Sequence, residues 1–351
     1  MAKKKKTLPK NFDALIEAGD IAVLKEVFDR CELDAQGGYS KSTALSYYQV
    51  PEELIRWLVE QGADLNARDN YGATPLHQHA MSWCGHTELL LDLGADMETV
   101  DDRNETPLFA AAGSFKPQAV HALVTRGANI SAKNKMGQTP LEKALAKCRN
   151  SDIVNMAEVA DMLLSAGTAV TPAMKDSIKR IGNDFEFHRE GFNKQYVNQT
   201  DEALLRLYEL FDVTPVERRK THDGASSITV STEGWQAQHD ELWSLLVPSK
   251  GHAQTVQGEV IRITGKVSYE ILGNGGINWD DEFRKMLHSL VHSFSLGTPL
   301  NPASLEEART LAKKLHSGNG QDEPARLCEM AVHWVLSNPS PMILEQPDYE
   351  R

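Results

Sequence analysis

The sequence lacks any long apolar segment. No apolar run approaches the ~18–20 residues that a membrane-spanning helix needs, so we expect no membrane span and no membrane partner. Four scattered cysteines, Cys31, Cys84, Cys148 and Cys328, do not show the spacing of a disulfide framework and favour a reducing compartment. The basic run from Lys3 to Lys6 is not followed by the apolar core of a secretory signal. We therefore expect a cytoplasmic protein that begins with a disordered basic tail, residues 1–10.

Excess positive charge is also missing. The chain carries 37 basic and 49 acidic side chains, a net charge of −12, and both halves are acidic. A protein that binds phosphate backbones would need a basic stripe, so the composition argues against nucleic acid as a partner. An acidic protein is instead steered toward partners with a basic surface.

Motifs for catalysis, cofactors and metals are absent as well. The sequence has no Gly-x-Ser-x-Gly elbow, phosphate loop or dinucleotide fingerprint, and we predict neither an enzyme nor a bound cofactor. Two groups of residues come closest to a metal-binding pattern. We interpret them as structural or solvated residues, because neither has the paired ligand spacing of a zinc site. These groups are His77, His79, Cys84 and His86, and the helical pair His288 and His292.

What the sequence does contain is a repeat in its first half. The motif Thr-Pro-Leu begins at Thr74, Thr106 and Thr139, and a weaker form begins at Thr43, so the steps are 31, 32 and 33 residues. A second motif, Gly-Ala-Asp or Gly-Ala-Asn, recurs with a similar step from Gly62, Gly94 and Gly127. This period and these motifs resemble the ankyrin repeat, which stacks helix pairs into a solenoid.

Each repeated residue has a physical role. Thr is a good N-cap and Pro suits the first helical position, so the motif predicts a helix start in each repeat. The leucines that follow, Leu76, Leu108 and Leu141, are expected to point into the stack. Glycine after the second helix allows a left-handed backbone. Asn104 stands where other repeats have Gly72 and Gly137, and Asn tolerates positive φ better than most residues.

The predicted fold is all-α, with two parts. An ankyrin-repeat domain of about five repeats, the first degenerate, is expected over residues 11–171. The period is lost after residue 171, and residues 172–351 show apolar stripes at helical spacing. We interpret them as a separate helical bundle rather than an extension of the solenoid, with a mobile loop near residues 214–231.

The resemblance implies a concave surface that binds another protein. Its contact positions are the turn tips and the exposed side of the first helix of each repeat. Tyr71, Arg103 and Met136 are residue types that serve as interface anchors. Trp83 is open to two interpretations, a packing plug or an exposed anchor. The positions carried over are Asn70, Tyr71, Met81, Trp83, Asp102, Arg103, Glu105, Lys116, Lys135, Met136 and Gln138.

Three functional hypotheses remain open. The first is a cytoplasmic adaptor or inhibitor, and a sharper version resembles the ankyrin proteins of bacterial toxin systems, in which an acidic partner neutralises a basic toxin. The second is an enzyme in the second half whose substrate the repeats recruit. The third is a secreted effector that binds a host protein.

One stretch of the second half also has two interpretations. Gln257, Glu259 and Arg262 could form a polar site with Asn274 and Asn278, or they could serve packing. Glycine inside a helix costs ~0.5–1 kcal/mol, so the two glycines of the same stretch predict close approach of a second helix. They are Gly258 and Gly265.

Overall fold

The computed structural model describes residues 3–351 and divides the chain into two compact units. The first contains the chain up to Phe185 together with Asn193–Val216, and the second contains Glu186–Phe192 and Glu217–Arg351. Along the described chain, no helix has both the length and the apolar character needed to cross a membrane.

Helix pairs build the first unit. The Thr-Pro motifs start the first helix of three pairs, with each threonine in an extended conformation and each proline at the first helical position. The predicted inward leucines, Leu76, Leu108 and Leu141, are at most 1% exposed. The helices are α1 Phe12–Ala18, α2 Ile21–Arg30, α3 Glu52–Glu60, α4 Pro75–Ala80, α5 Thr87–Asp92, α6 Pro107–Gly113, α7 Pro117–Thr125, α8 Pro140–Lys147, α9 Ile153–Ser165, α10 Pro172–His188 and α11 Val197–Phe211.

Two of the three threonine caps, Thr74 and Thr139, form reciprocal hydrogen bonds with the residue three positions later. The Glu142 amide donates to the Thr139 hydroxyl, and the Thr139 amide donates to the Glu142 carboxylate at 2.9 Å. In the repeat of α4, the His77 imidazole takes the place of the carboxylate and accepts from the Thr74 amide at 3.1 Å. These bonds satisfy amides that have no partner inside the helix and so fix where the helices begin.

Left-handed residues turn the chain where the sequence predicts them. Gly94, which follows α5, has φ +95°, a conformation that costs a residue with a Cβ more. Asn104 adopts φ +61° in a turn where the neighbouring repeats have glycine at φ +75°. The substitution of Asn for Gly is therefore accommodated by the same turn geometry.

A small sheet lies at the start of the first unit, and it corrects the expected disordered tail. Lys5–Thr7 forms β1, which pairs in parallel with β2, Cys31–Gly37, and β2 pairs antiparallel with β3, Ser42–Thr43. The Leu8 side chain is buried and its amide donates to the Gln36 carbonyl at 3.0 Å. Burial of Leu8 is the physical reason that this segment is ordered. Residues 1–2 of the expected tail lie outside the described residues. The all-α prediction is confirmed, since the sheet is short.

The first unit extends past the boundary expected at residue 171, because α11 and most of α10 pack on the last repeat. The Arg180 guanidinium donates to the Leu145 carbonyl at 2.8 Å, and Arg206 forms an ion pair with Asp161 at 3.0 Å. These contacts make α10 and α11 an extension of the helix stack as far as Val216. The sequence interpretation, which assigned them to the second part, is wrong for this segment.

The second unit packs five helices around one apolar core. A Cβ on Gly265 would collide with the Trp243 ring, and one on Gly258 would lie 3.0 Å from the Leu246 carbonyl. The expected close approach of a second helix at both glycines is confirmed. The helices are α12 Trp235–Leu246, α13 Val256–Ser268, α14 Asp281–Ser293, α15 Pro302–Lys314 and α16 Glu323–Ser337.

The segment predicted as a mobile loop has no helix or strand, but residues 217–231 of it are anchored within the second unit. The Arg219 guanidinium donates to the carbonyls of Ser244 and Phe187, at 2.6 and 3.2 Å. Ile228 is buried, and its amide donates to the Pro339 carbonyl at 2.8 Å. The segment is therefore an irregular but packed connection.

Candidate protein-binding surface

The turns before the first helices of three repeats share one hydrogen-bond pattern. In each, the side-chain oxygen of an Asp or Asn accepts the backbone amides two and four residues later, at 2.8–3.0 Å. Such a side chain mimics the backbone of a turn and fixes its shape. The three residues are Asp69, Asp101 and Asn134.

Backbone hydrogen bonds join these turns into a row. The Asp102 amide donates to the Tyr71 carbonyl at 2.9 Å, and the Lys135 amide donates to the Arg103 carbonyl at 2.9 Å. Consecutive turn tips are therefore held in register by main-chain groups. The tip positions of successive repeats face solvent side by side.

Three exposed side chains follow this row, one on each tip. Tyr71 is 50% exposed, Met136 is 81% exposed, and Arg103 is exposed. We call Tyr71, Arg103 and Met136 the tip row. The Arg103 guanidinium forms no ion pair with any residue of the described chain. The other exposed residues carried over from the resemblance are Asn70, Met81, Trp83, Asp102 and Lys135.

Glu105 corrects the predicted set, because it is not on the surface. Its side chain is 6% exposed and accepts hydrogen bonds from Lys143 and from the Asn134 amide group, the latter at 3.1 Å. The carboxylate points toward the next repeat, where these donors neutralise and satisfy it. Glu105 therefore links two repeats and is not available to a partner. Gln138 and Lys116 are half-buried.

Trp83 is exposed rather than a packing plug. Its side chain is 57% exposed, and the Lys116 ammonium lies 3.9 Å from its ring centroid. At this distance the cation is attracted to the aromatic face. Trp83 and Lys116 line an open cleft of about 550 Å³, whose rim also carries Glu52, Glu88 and Asp92.

The histidines of the same repeat hold the fold together. The His77 ring bonds to the Thr74 hydroxyl at 2.8 Å and to the Glu105 carbonyl at 2.9 Å. The His79 ring bonds to the Leu45 carbonyl at 3.0 Å and accepts from the His86 amide at 2.8 Å. Burial lowers the pKa of both rings, that of His79 to about 4, so both are neutral near pH 7. Among the described residues, no group of three or more His, Cys, Asp or Glu is arranged to hold a metal.

The polar stretch of α13 serves packing. Glu259 and Arg262 form an ion pair in which both side chains are at most 2% exposed. The Glu259 carboxylate also accepts from the Tyr349 hydroxyl at 2.7 Å and from the Ala253 amide at 3.0 Å. Burial alone would raise the pKa of Glu259, but Arg262 and the other donors hold it below its usual value.

The remaining members of the expected polar site lie in other contacts. Gln257 bonds to the backbone of the segment after α16, donating to the Asn338 carbonyl at 2.8 Å. Asn274 and Asn278 both donate to the Glu270 carboxylate. The five residues therefore do not share one site.

Comparison with known families assigns the repeat region. Two family models described as ankyrin repeats match residues 48–93 and 79–171. Residues 48–171 contain ankyrin repeats. Such repeats are typically non-catalytic and form a protein–protein interaction module.

Relatives share these repeats over part of their length. An ankyrin repeat protein of variola virus is 33% identical over 105 residues, which are 29% of this chain and 18% of that protein. An ankyrin repeat protein of Rickettsia bellii is 30% identical over 95 residues, 26% of this chain and 52% of the relative. The human ankyrin repeat and KH domain-containing protein 1 is 34% identical over 113 residues, 30% of this chain and 4% of the relative. The chain thus spans about half of these curated relatives at most.

Proposed function

We propose that this protein is a non-catalytic adaptor or inhibitor whose ankyrin repeats bind another protein through the tip row. The supporting observation is that Tyr71, Arg103 and Met136 stand exposed on three consecutive turns held in register by backbone hydrogen bonds. Tyr and Arg are enriched among residues that dominate binding energy. The tip row therefore offers a partner an aromatic, a cationic and a flexible apolar contact.

The proposed partner has a basic surface. The chain carries a net charge of −12. The cleft that contains Trp83 is lined by Glu88 and by two acids that form ion pairs, Glu52 with Arg56 and Asp92 with Arg126, so the net charge of the chain supports this part of the proposal. Negative charge steers encounters with basic proteins and speeds their association. A basic toxin neutralised by this chain belongs to that class of partner. We place the interaction in the cytoplasm, and the four unpaired cysteines support this placement.

Affinity purification with the full chain tests the proposal. The wild type is compared with the variant Tyr71→Ala/Arg103→Ala/Met136→Ala, and the captured partner is then titrated against both. Truncation of one dominant contact costs about 2 kcal/mol, so we expect the triple variant to bind at least about 30-fold more weakly. Far-UV circular dichroism should show the same fold for both, because these side chains are exposed.

A matched control removes three exposed side chains of similar size away from the row. In the variant Leu205→Ala/Tyr196→Ala/Arg309→Ala, two of the changed residues lie in the first unit and one in the second. This control should bind the partner like the wild type. A partner retained equally by the tip-row variant would refute the proposal and move the interaction elsewhere. A partner with an acidic surface would refute the proposed charge complementarity.

A further inference from the structure

The second unit contains an open cleft with aromatic walls, which we call the aromatic cleft. It has a volume of about 740 Å³ and is lined by residues of α12, α13, α14 and α16. Its walls include Trp235, Trp243, Tyr269 and Phe283. Sites for small molecules typically have volumes of about 300–1,000 Å³ and apolar or aromatic linings with a few polar groups. The aromatic cleft has the size and lining of such a site.

Two of these rings are available for contact with a ligand. Tyr269 is 73% exposed at the rim, whereas Trp235 is half-buried. Tyr269 begins a π-helical turn, Tyr269–Gly273, that follows α13 directly. Turns of this kind are rare and occur frequently at functional sites. The Trp243 ring is already engaged within the protein, because it packs against Gly265 and stacks on Phe187.

A cation without a partner lies inside the cleft. Lys266 is half-buried, and its ammonium forms no ion pair or hydrogen bond with any residue that the structure describes. Burial lowers the pKa of Lys266, and the neighbouring Arg262 and Arg351 lower it further, against the opposite effect of Glu259. An ammonium that has lost water and faces other cations is stabilised when an anion binds beside it.

The other charged groups that line the cleft are already paired or solvated. The Glu270 carboxylate accepts hydrogen bonds from Asn274 and Asn278. Arg351 forms an ion pair with Asp280 at 2.7 Å. Asp240 is exposed, so water screens its carboxylate at the rim. Lys266 is therefore the charge that a ligand can neutralise.

We propose that the aromatic cleft binds a small planar anion, such as an aromatic carboxylate, sulfonate or phosphate. The anionic group pairs with the Lys266 ammonium, and the ring lies against Trp235 and Tyr269. This combination fixes the ligand at two points, since the ion pair selects the charge and the aromatic walls select the flat ring. The site lies in the second unit and is distinct from the tip row of the first.

A pair of fluorescent probes separates these two contributions. Anilinonaphthalene sulfonate is a planar aromatic anion, and phenylnaphthylamine has the same rings without the sulfonate. Both are titrated into the full chain. We expect one sulfonate probe per chain, with Lys266→Met weakening its binding about tenfold, as a charge-assisted hydrogen bond is lost. In the same Lys266→Met variant, the affinity for the neutral probe should change less than twofold. Trp235→Ala, in contrast, should weaken the binding of both probes.

Two further variants make the result decisive. Lys266→Arg keeps the cation and should retain the sulfonate probe. Lys313→Met removes a lysine from a separate basic groove between α14 and α15, and should leave binding unchanged. If Lys266→Met does not fold, Lys266→Gln carries the same expectation. Sulfonate binding that is insensitive to Lys266, an equal loss of both probes in Lys266→Met, or a sulfonate site that depends on Lys313 would overturn the proposal.

Discussion

Acidification should destabilise the repeat unit through His79. This ring is fully buried in α4, with the Leu45 carbonyl 3.0 Å from Nε2 and the His86 amide donating to Nδ1 at 2.8 Å. The two contacts require a neutral ring with its proton on Nε2. A second proton on Nδ1 would face the His86 amide donor and break that hydrogen bond. Burial lowers the pKa of His79 to about 4, although the Leu45 carbonyl acts in the opposite direction.

The size of the effect follows from proton linkage. An unfolded chain binds the proton with a pKa of about 6.5, and each unit of difference is worth about 1.4 kcal/mol. Between pH 6.5 and 4 the unfolded state binds more protons, so the free energy of unfolding falls as the pH falls. The contribution of neutral His79 is fully present above pH 6.5. About 3 kcal/mol of it is lost on reaching pH 4.

Urea unfolding at several pH values between 7.5 and 4 measures this loss. His79→Gln removes the titrating ring and is expected to start less stable at pH 7.5, because it cannot satisfy both backbone partners. It should then lose about 3 kcal/mol less than the wild type on acidification. His288→Gln, at an exposed position of α14, is the control and should keep the wild-type pH slope. Equal slopes for the wild type and His79→Gln, or an NMR titration midpoint of His79 near 6.5, would refute the reasoning.

Two further predictions concern the second unit. Glu259→Gln leaves Arg262 buried without its counterion and should lower the free energy of unfolding by about 3–5 kcal/mol. The double variant with Arg262→Met should lose less than the sum of the single variants in urea unfolding, and additive losses would contradict a coupled pair. Gly265→Ala should cost about 1–3 kcal/mol because its Cβ meets the Trp243 ring, and tryptophan fluorescence should shift. Gly113→Ala is the control: its Cβ would lie 3.5 Å from its nearest neighbour, so this variant should be neutral or stabilising. An equal loss of stability in both glycine variants would argue against the clash.

Much of the repeat unit could be predicted because its signals are local. Thr139 and Glu142 lie one helical turn apart and cap the same helix, so their spacing in the sequence contains the whole interaction. The left-handed turn at Asn104 likewise depends mainly on the residue itself. Exposure of Tyr71 and Met136 followed from the same turn geometry. The periodic motifs therefore predicted the fold of the repeat unit and most of the exposed positions that make up the candidate surface.

Errors arose where a residue depends on distant partners. Leu8 is ordered by pairing with Gln36, and nothing near Leu8 in the sequence signals that strand. Glu105 looks like a surface acid until Lys143, one repeat later, is placed beside it. For Glu259 and Arg262 the sequence left packing and a polar site open, and the burial of the pair, with the Tyr349 hydroxyl donating to Glu259, decides for packing. Non-local burial decides all three cases.

The residues that hold the repeats in register differ from those that we propose to face a partner. Asp69, Asp101 and Asn134 fix each turn through their own side chains, and neighbouring turns are joined by main-chain hydrogen bonds and by the side chains of Asn104 and Asn134. Within the described chain, the side chains of Tyr71, Arg103 and Met136 take part in none of these hydrogen bonds, so they can change without breaking the contacts that align the turns. Loss of binding in a folded tip-row variant would then report on recognition itself, because the row contributes little to the stability of the repeats.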